Sequence, residues 1–512
     1  MLARAHAFTI DGLHTRHVTV EVDVRPGLPA FVIVGLADAA VREARERIQS
    51  AIRNSGFQFP SRRITANLAP ADVRKAGPGL DLALACAVLA ATRQLAGERL
   101  EQIALVGELG LDGRVRPARG TLAIAHAARA AGLDALAVAG ASAREATLVG
   151  GLRVAAVEHL RSAVRVLDGG DGDPLTGVDR RRAPASRRGA STALDLADVR
   201  GQRSAVRALL TAAAGGHNLL FSGPPGTGKT MLAQRMPSIL PPLVEREAIE
   251  VARLSSLLGA QVSSLARERP FRAPHHTVSA AGLVGGARER MIGEVVLAHN
   301  GVLFLDELSE FSRAALEALR QPLEDGRVAI ARAAHSAVYP ARFMLLAATN
   351  PCPCGHAGDG DRCRCSDADL ARHRRRLSGP LIDRIDLMVS LHRDEHSRAR
   401  GSTMTSRHAL AQVIGARERQ AARLRREGVV LNAHMDVRAT ARHARLDTAG
   451  EDMLVNALRA GMLSSRGEQR VRRVARTIAD LHGRERVCAA DVGAALALRP
   501  VFAGTAARLD AP

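Results

Sequence analysis

Eight consecutive residues, Gly223-Pro224-Pro225-Gly226-Thr227-Gly228-Lys229-Thr230, constrain this chain more than any other stretch. They fit G-x-x-x-x-G-K-[ST], a loop whose backbone N–H groups turn inward around a polyphosphate. Glycines allow that approach because no Cβ intervenes. A lysine at Lys229 reaches the β- and γ-phosphates, and the Thr230 hydroxyl ligates Mg²⁺. The flanks agree with the motif. Asn218-Leu219-Leu220-Phe221-Ser222 reads as a short buried strand entering the loop, and Met231-Leu232-Ala233-Gln234-Arg235 as a helix leaving it. The dipole at that helix's start favours anionic phosphate. ATP with Mg²⁺ is the expected ligand pair.

A second signature follows about 80 residues later, the spacing expected behind such a loop. Gly301-Val302-Leu303-Phe304-Leu305 is a buried parallel strand, and Asp306-Glu307 sit at its carboxyl end, where ligands bind in doubly wound sheets. Asp306 is placed for the Mg²⁺ shell and Glu307 for orienting and deprotonating a water. A third strand, Phe343-Met344-Leu345-Leu346-Ala347-Ala348, ends in Thr349-Asn350. On the strand beside Glu307, the Asn350 amide would position that water; a capping Asn is the simpler alternative.

The chain has 512 residues, too many for one core, so several domains are expected. Its formal net charge of +20 supports a polyanion partner, nucleic acid above all, DNA included; a genome-composition bias toward Arg, Ala and Gly is the competing reading. Arginine carries nearly all of that charge. The only lysines are Lys75 and Lys229, so lysine survives where a compact point charge is chemically required. No apolar run reaches the roughly 20 residues that cross a bilayer, and no signal-peptide pattern opens the chain, which predicts a cytoplasmic protein. Six cysteines are too few for a disulfide scaffold. Four of them, Cys352, Cys354, Cys363 and Cys365, crowd one loop with a composition that suits tetrahedral Zn²⁺, reduced thiols or a redox-sensitive loop being the alternatives. His275 and His276 lack a carboxylate or cysteine at ligand spacing.

Organisation along the chain is α/β. Residues 1–167 mix strands (His17–Val22, Phe31–Val34) with helices (Ala39–Asn54, Leu80–Thr92, Leu122–Ala131), the second nearly all apolar and hence buried. Residues 168–195, with Arg180-Arg181-Arg182 and Arg187-Arg188, read as a linker. Residues 196–391 hold the phosphate loop and its parallel sheet. Residues 392–512 turn helical, as a lid over a nucleotide would.

Those nucleotide motifs resemble AAA+ ATPases, and the inserts narrow the resemblance. Arg269-Pro270-Phe271-Arg272-Ala273-Pro274-His275-His276-Thr277, Leu319-Arg320-Gln321-Pro322-Leu323-Glu324-Asp325-Gly326 and Ser378-Gly379-Pro380-Leu381-Ile382-Asp383-Arg384-Ile385-Asp386 look like magnesium-chelatase-type AAA+ proteins. With the N-terminal part they resemble the ComM/YifB family over nearly the whole chain. That resemblance implies a Lon-protease-like domain over 1–167, matched by Lys75-Ala76-Gly77-Pro78-Gly79-Leu80-Asp81. Gly79 and Leu122 stand where active Lon proteases carry the nucleophilic Ser and its Lys, so no peptidase activity is expected. The resemblance also implies a hexameric ring that migrates DNA branches in homologous recombination and natural transformation. It gives Arg384 to the neighbouring subunit's nucleotide and Arg466 to the γ-phosphate, with Arg470 one turn further as the fallback. A hairpin of Val328–Arg332 and Ser336–Pro340 would face the pore, with Arg332 and Arg342 on DNA phosphates, or would only pack between subunits with its arginines in solvent. The competing expectation is a chelatase-like motor remodelling a protein or metal-insertion partner.

Overall fold

In a computed structural model, residues 1–11, 14–73, 75, 77–169, 194–260, 262–286, 292–332, 335–357, 362–377, 381–392 and 404–499 are described. The basic runs of the expected linker, Ser378–Pro380 and the side chain of Arg332 lie outside the described residues. The chain divides into two units. One comprises Met1–Arg187, Glu245–Ala266 and Ala333–Tyr339; the other comprises Arg188–Val244, Arg267–Arg332 and Pro340–Pro512.

The first unit is built on strands β1 (Leu2–Asp11), β2 (His14–Arg25), β3 (Ala30–Val34), β4 (Arg63–Ala69), β5 (Ile103–Val106), β8 (Ala135–Ala139) and β9 (Arg153–Val157), with a small ribbon of β6 (Glu108–Leu109) and β7 (Val115–Arg116). The seven-stranded sheet runs β3-β4-β2-β1-β5-β8-β9. In β2 the alternation read from the sequence buries Val18, Val20 and Val22 on one face. Helix Asp81–Ala91 is buried at every position, as its continuous apolar run requires. Helix Ala39–Asn54 has the expected bounds and is capped by Asp38, whose carboxylate accepts the Val41 N–H. Helix Glu245–Leu257 and the residues after it supply Ala252, Val262 and Leu265 to the same core as Phe8, Leu122 and Ile124. A segment lying between two ATPase motifs in sequence thus packs with the N-terminal unit, which nothing in its own pattern announces.

The second unit holds a sheet of β10 (Leu219–Ser222), β11 (Phe271–Arg272), β12 (Gly301–Leu305), β15 (Phe343–Thr349) and β16 (Leu387–Ser390), in the order β11-β12-β15-β10-β16. Every pairing in it is parallel. The strands are apolar and largely buried, as a sheet covered on both faces demands. The expected hairpin strands are β13 (Arg327–Arg332) and β14 (His335–Pro340). After the sheet come helices Ser406–Leu424, Val437–His443, Thr448–Arg459, Ser465–Leu481 and Ala489–Ala497. They confirm a mixed α/β chain with a helical C-terminal part. Among the described residues no helix is long and apolar enough to cross a membrane.

Candidate nucleotide-binding site

Because β12, β15 and β10 are adjacent and parallel, the residues after their carboxyl ends open on one crevice. The phosphate loop follows β10, Asp306 and Glu307 follow β12, and Asn350 follows β15. Glycine is required in the loop on two grounds. A Cβ on Gly223 would lie 2.6 Å from the Leu391 carbonyl oxygen, and Gly226 and Gly228 have φ of +80° and +89°. The Thr227 hydroxyl ties the loop to the Pro224 carbonyl at 2.8 Å.

Lys229 Nζ donates to the Gly223 and Pro224 carbonyls at 2.6 and 2.9 Å and to Asn350 Oδ1 at 3.0 Å. Burial lowers the pKa of that ammonium, while Asp306 and Glu307 pull the other way. The Thr230 hydroxyl donates to Asp306 Oδ2 at 2.6 Å. Two oxygen ligands on adjacent octahedral positions of Mg²⁺ stand about 2.9 Å apart, so this pair fits the ion after a small opening. Glu307 sits in the left-handed region, φ +52°, uncommon for a residue with a side chain. Its N–H donates to Asp306 Oδ1 at 3.0 Å. The carboxylate is 55% exposed, and His276 Nδ1 lies 3.3 Å from its Oε2. Lys229 with Asn350, and Thr230 with Asp306 and the Glu307 N–H, thus form two hydrogen-bonded sets at the carboxyl edge of the sheet.

Arg384 and Arg466 stand differently. Arg384 pairs with Glu324 of its own chain, and its carbonyl accepts from Asn218 Nδ2 at 2.9 Å. Arg466 is exposed on the first turn of helix Ser465–Leu481. Arg470, one turn on, lines a cavity with Ile382, Asp383, Asp386 and Arg499 and lies 4.0 Å from Asp386 Oδ1. Burial alone would raise the Asp386 pKa; the His217 ring, with Nδ1 3.7 Å from Oδ2, and the charges of Arg473 and Arg470 hold it below the usual carboxylate range. Arg342 is exposed.

Two residues had no motif to announce them. Asn218 accepts the Leu345 N–H at 2.9 Å while donating to the Arg384 carbonyl, so one amide links β15 to the Arg384 segment at the foot of β10. His276 faces Glu307 across the crevice, and its neighbouring His275 ring lies 4.1 Å away. Paired histidines in an insert carry no spacing rule from which that contact could be read.

The four cysteines converge as expected. Their sulfurs all lie within 4.8 Å of one another, with separations of 3.3 Å (Cys352–Cys354), 3.8 Å (Cys352–Cys363) and 3.7 Å (Cys354–Cys363). Zn–S bonds of about 2.3 Å put tetrahedral sulfurs about 3.8 Å apart, so the thiols fit that ion. Backbone N–H groups of Arg364 and His356 draw the Cys354 thiol down to about 6, while burial and the neighbouring Cys354 and Cys352 sulfurs push the Cys363 and Cys365 thiols up, so without an ion the cluster favours one thiolate. In the first unit, Gly79 stands against Ala118 and Val106, and Leu122 is buried in the cluster that contains Val106. Neither position offers a hydroxyl or an amine.

The profile described as "Magnesium chelatase, subunit ChlI" matches residues 195–399. "Subunit ChlI of Mg-chelatase" matches 20–142, and "Magnesium chelatase, subunit ChlI C-terminal" matches 403–499. The chain is 41% identical over 492 residues to the competence protein ComM of Haemophilus influenzae, covering 95% of each. It is 42% identical over 487 residues to the uncharacterized protein YifB of Salmonella typhimurium, covering 94% of this chain and 93% of that one. It is 44% identical over 502 residues to an uncharacterized protein of Mycobacterium tuberculosis, covering 97% and 98%.

Proposed function

This chain belongs to the ComM/YifB family of magnesium-chelatase-like AAA+ proteins, and on that premise we propose that it is a ring-forming, Mg²⁺-dependent ATPase that moves DNA strands during recombination. The observation that carries the reading is the gathering of Lys229, Thr230, Asp306, Glu307 and Asn350 at the carboxyl edge of a parallel sheet. Thr230 and Asp306 would hold Mg²⁺, which neutralises phosphate charge when bound. Lys229 exchanges its loop carbonyls for the β- and γ-phosphates of ATP. Glu307 takes the proton of the attacking water, and Asn350 aims that water at the γ-phosphate. Arg384 leaves Glu324 to reach the nucleotide of the adjoining subunit in a hexamer, so turnover follows assembly. Arg466, or Arg470 in its place, senses the terminal phosphate from the lid. Zn²⁺ on Cys352, Cys354, Cys363 and Cys365 is structural.

DNA as the partner is supported by the net charge of +20 and by the competence name of the Haemophilus relative, which suggests a place in natural transformation. The N-terminal unit contributes no peptidase chemistry, since Gly79 and Leu122 supply no nucleophile or base. The proposed domain limits are 1–167, a linker of 168–195, 196–391 and 392–512, with Glu245–Ala266 grouped with the first unit. The chelatase descriptions of the matching profiles favour a second reading, a motor acting on a metal-insertion partner.

One experiment separates them. ATPase rates are measured with no DNA, single strands, duplex and four-way junctions. Stimulation by branched DNA that disappears in Glu307→Gln is expected, with nucleotide binding retained and turnover reduced about 10²–10⁴-fold. An ATPase indifferent to every DNA would leave the chelatase-like reading in its place.

A further inference from the structure

The cysteine loop and the phosphate loop touch. Cys352, fully buried, comes two residues after Asn350. Gly355, next to Cys354, has φ +85° and lies flat against the phosphate loop: a Cβ there would stand 2.6 and 2.9 Å from Cδ and Cγ of Pro225, and 3.9 Å from Cγ of Asn350. Its N–H donates to the Cys352 carbonyl at 3.0 Å, which fixes the tight turn. Beyond Cys365 the chain forms helix Asp367–Leu377, and the ring of its buried His373 lies with Nε2 3.0 Å from the Asn350 carbonyl oxygen. Asn350 in turn accepts from Lys229 Nζ. The segments on both sides of the sulfur cluster therefore bear on the residue that holds the catalytic lysine.

We propose that the four-cysteine cluster is an allosteric metal site: Zn²⁺ on Cys352, Cys354, Cys363 and Cys365 and nucleotide on the Lys229 loop strengthen each other's binding through Gly355–Pro225 and His373–Asn350. The proposal rests on the zinc reading above. Sulfurs gathered by one ion fix the turn that backs Pro225. Without the ion, four thiols have no reason to stay within 4.8 Å, and the backing of both Pro225 and Asn350 loosens. No side chain cushions the contact, because Gly355 leaves no room for one, so a shift of the turn is passed to the loop. Coupling between two sites is reciprocal: the factor by which zinc tightens nucleotide is the factor by which nucleotide tightens zinc.

The test uses the full chain. Zinc content per chain is measured on protein purified without added metal. The Kd for a fluorescent ADP at fixed Mg²⁺ is then measured before treatment with a zinc-selective chelator, after it, and after adding Zn²⁺ back. Zinc release is followed with and without ADP. We expect one zinc per chain, a loss of ADP affinity of about fivefold or more on removal, recovery on re-addition, and release slowed when ADP is bound. Gly355→Ala, which leaves all four sulfurs in place, is expected to keep its zinc, to bind ADP more weakly, and to release zinc at a rate ADP no longer changes. This variant separates the contact from folding, which a cysteine substitution would not. Zinc present with an ADP affinity indifferent to its removal overturns the coupling and leaves the structural zinc standing. Protein that holds no zinc when purified or when supplied with it overturns both.

Discussion

If Arg384 acts on the adjoining subunit's nucleotide, two inactive variants should restore each other. Lys229→Ala has a dead site and an intact arginine; Arg384→Ala has an intact site and no arginine. Each alone should bind or assemble but not turn over. Two magnitudes separate a role in trans from a structural one. Within its own chain Arg384, 14% exposed, pairs with Glu324, 58% exposed, and an ion pair that is open to solvent on one side is worth about 0–1 kcal/mol. An arginine that stabilises the transferring phosphoryl group is worth about 10³–10⁵ in turnover, or roughly 4–7 kcal/mol. Arg384→Ala, which also loses the packing of a largely buried side chain, should cost about 1–3 kcal/mol of stability and stay folded while its turnover collapses. When the two variants are mixed in equal amounts and allowed to exchange subunits, only an interface with the Arg384→Ala site and the Lys229→Ala arginine is complete. Random assembly makes about one interface in four complete, so turnover should return to about a quarter of wild type. Steady-state phosphate release across a series of mixing ratios measures this. A mixture no more active than its components would refute the role in trans, and near-wild-type turnover of Arg384→Ala alone would refute any role.

Two further outcomes concern the scaffold. Asp480 is buried and accepts from Arg423 at 2.8 and 2.6 Å, from Arg476 at 3.0 Å and from Asn432 at 2.8 Å; Asp480→Ala strands two guanidinium groups and should cost about 3–5 kcal/mol in urea unfolding of the helical part. Asp386 has a folded pKa below its ordinary value, so its carboxylate stabilises the fold fully above about pH 4 and loses that contribution as pH falls through the folded pKa. Asp386→Asn should accordingly be less stable than wild type at pH 7, with a gap in urea midpoint that narrows on acidification below about pH 4; a gap independent of pH would contradict the charged network.

What could be read from the sequence was local. Gly301–Leu305 and Ala39–Asn54 have the bounds their patterns predict, since an apolar strand before two acids and a capped amphipathic helix are each determined within a few residues. The phosphate loop was legible because its chemistry requires particular residue types at fixed spacing. Helix Glu245–Leu257 shows the limit: its pattern says helix, but its partners Leu122 and Ile124 are far away in sequence and decide which unit it joins. His276, Asn218 and Glu324 were illegible for the same reason, each acquiring its importance from a residue brought close by the sheet.

The link between the cysteine loop and the phosphate loop follows from that sheet once its order is known. Ser222 of β10 is in register with Thr349 of β15, and the Gly223 N–H donates to the Thr349 carbonyl at 3.2 Å. Two chains therefore leave the sheet side by side, one as the phosphate loop and the other as Asn350 and the cysteines. Strands pair about 4.8 Å apart, so whatever follows Thr349 must pack on whatever follows Ser222. Lys229 and Asn350, 121 residues apart in sequence, meet because of this register. A cysteine loop inserted after any other strand of this sheet, β10 apart, would not abut Asn350 and Pro225 together. The position of the four cysteines, immediately after the strand that pairs with β10, is what would let a thiol cluster act on the nucleotide as proposed.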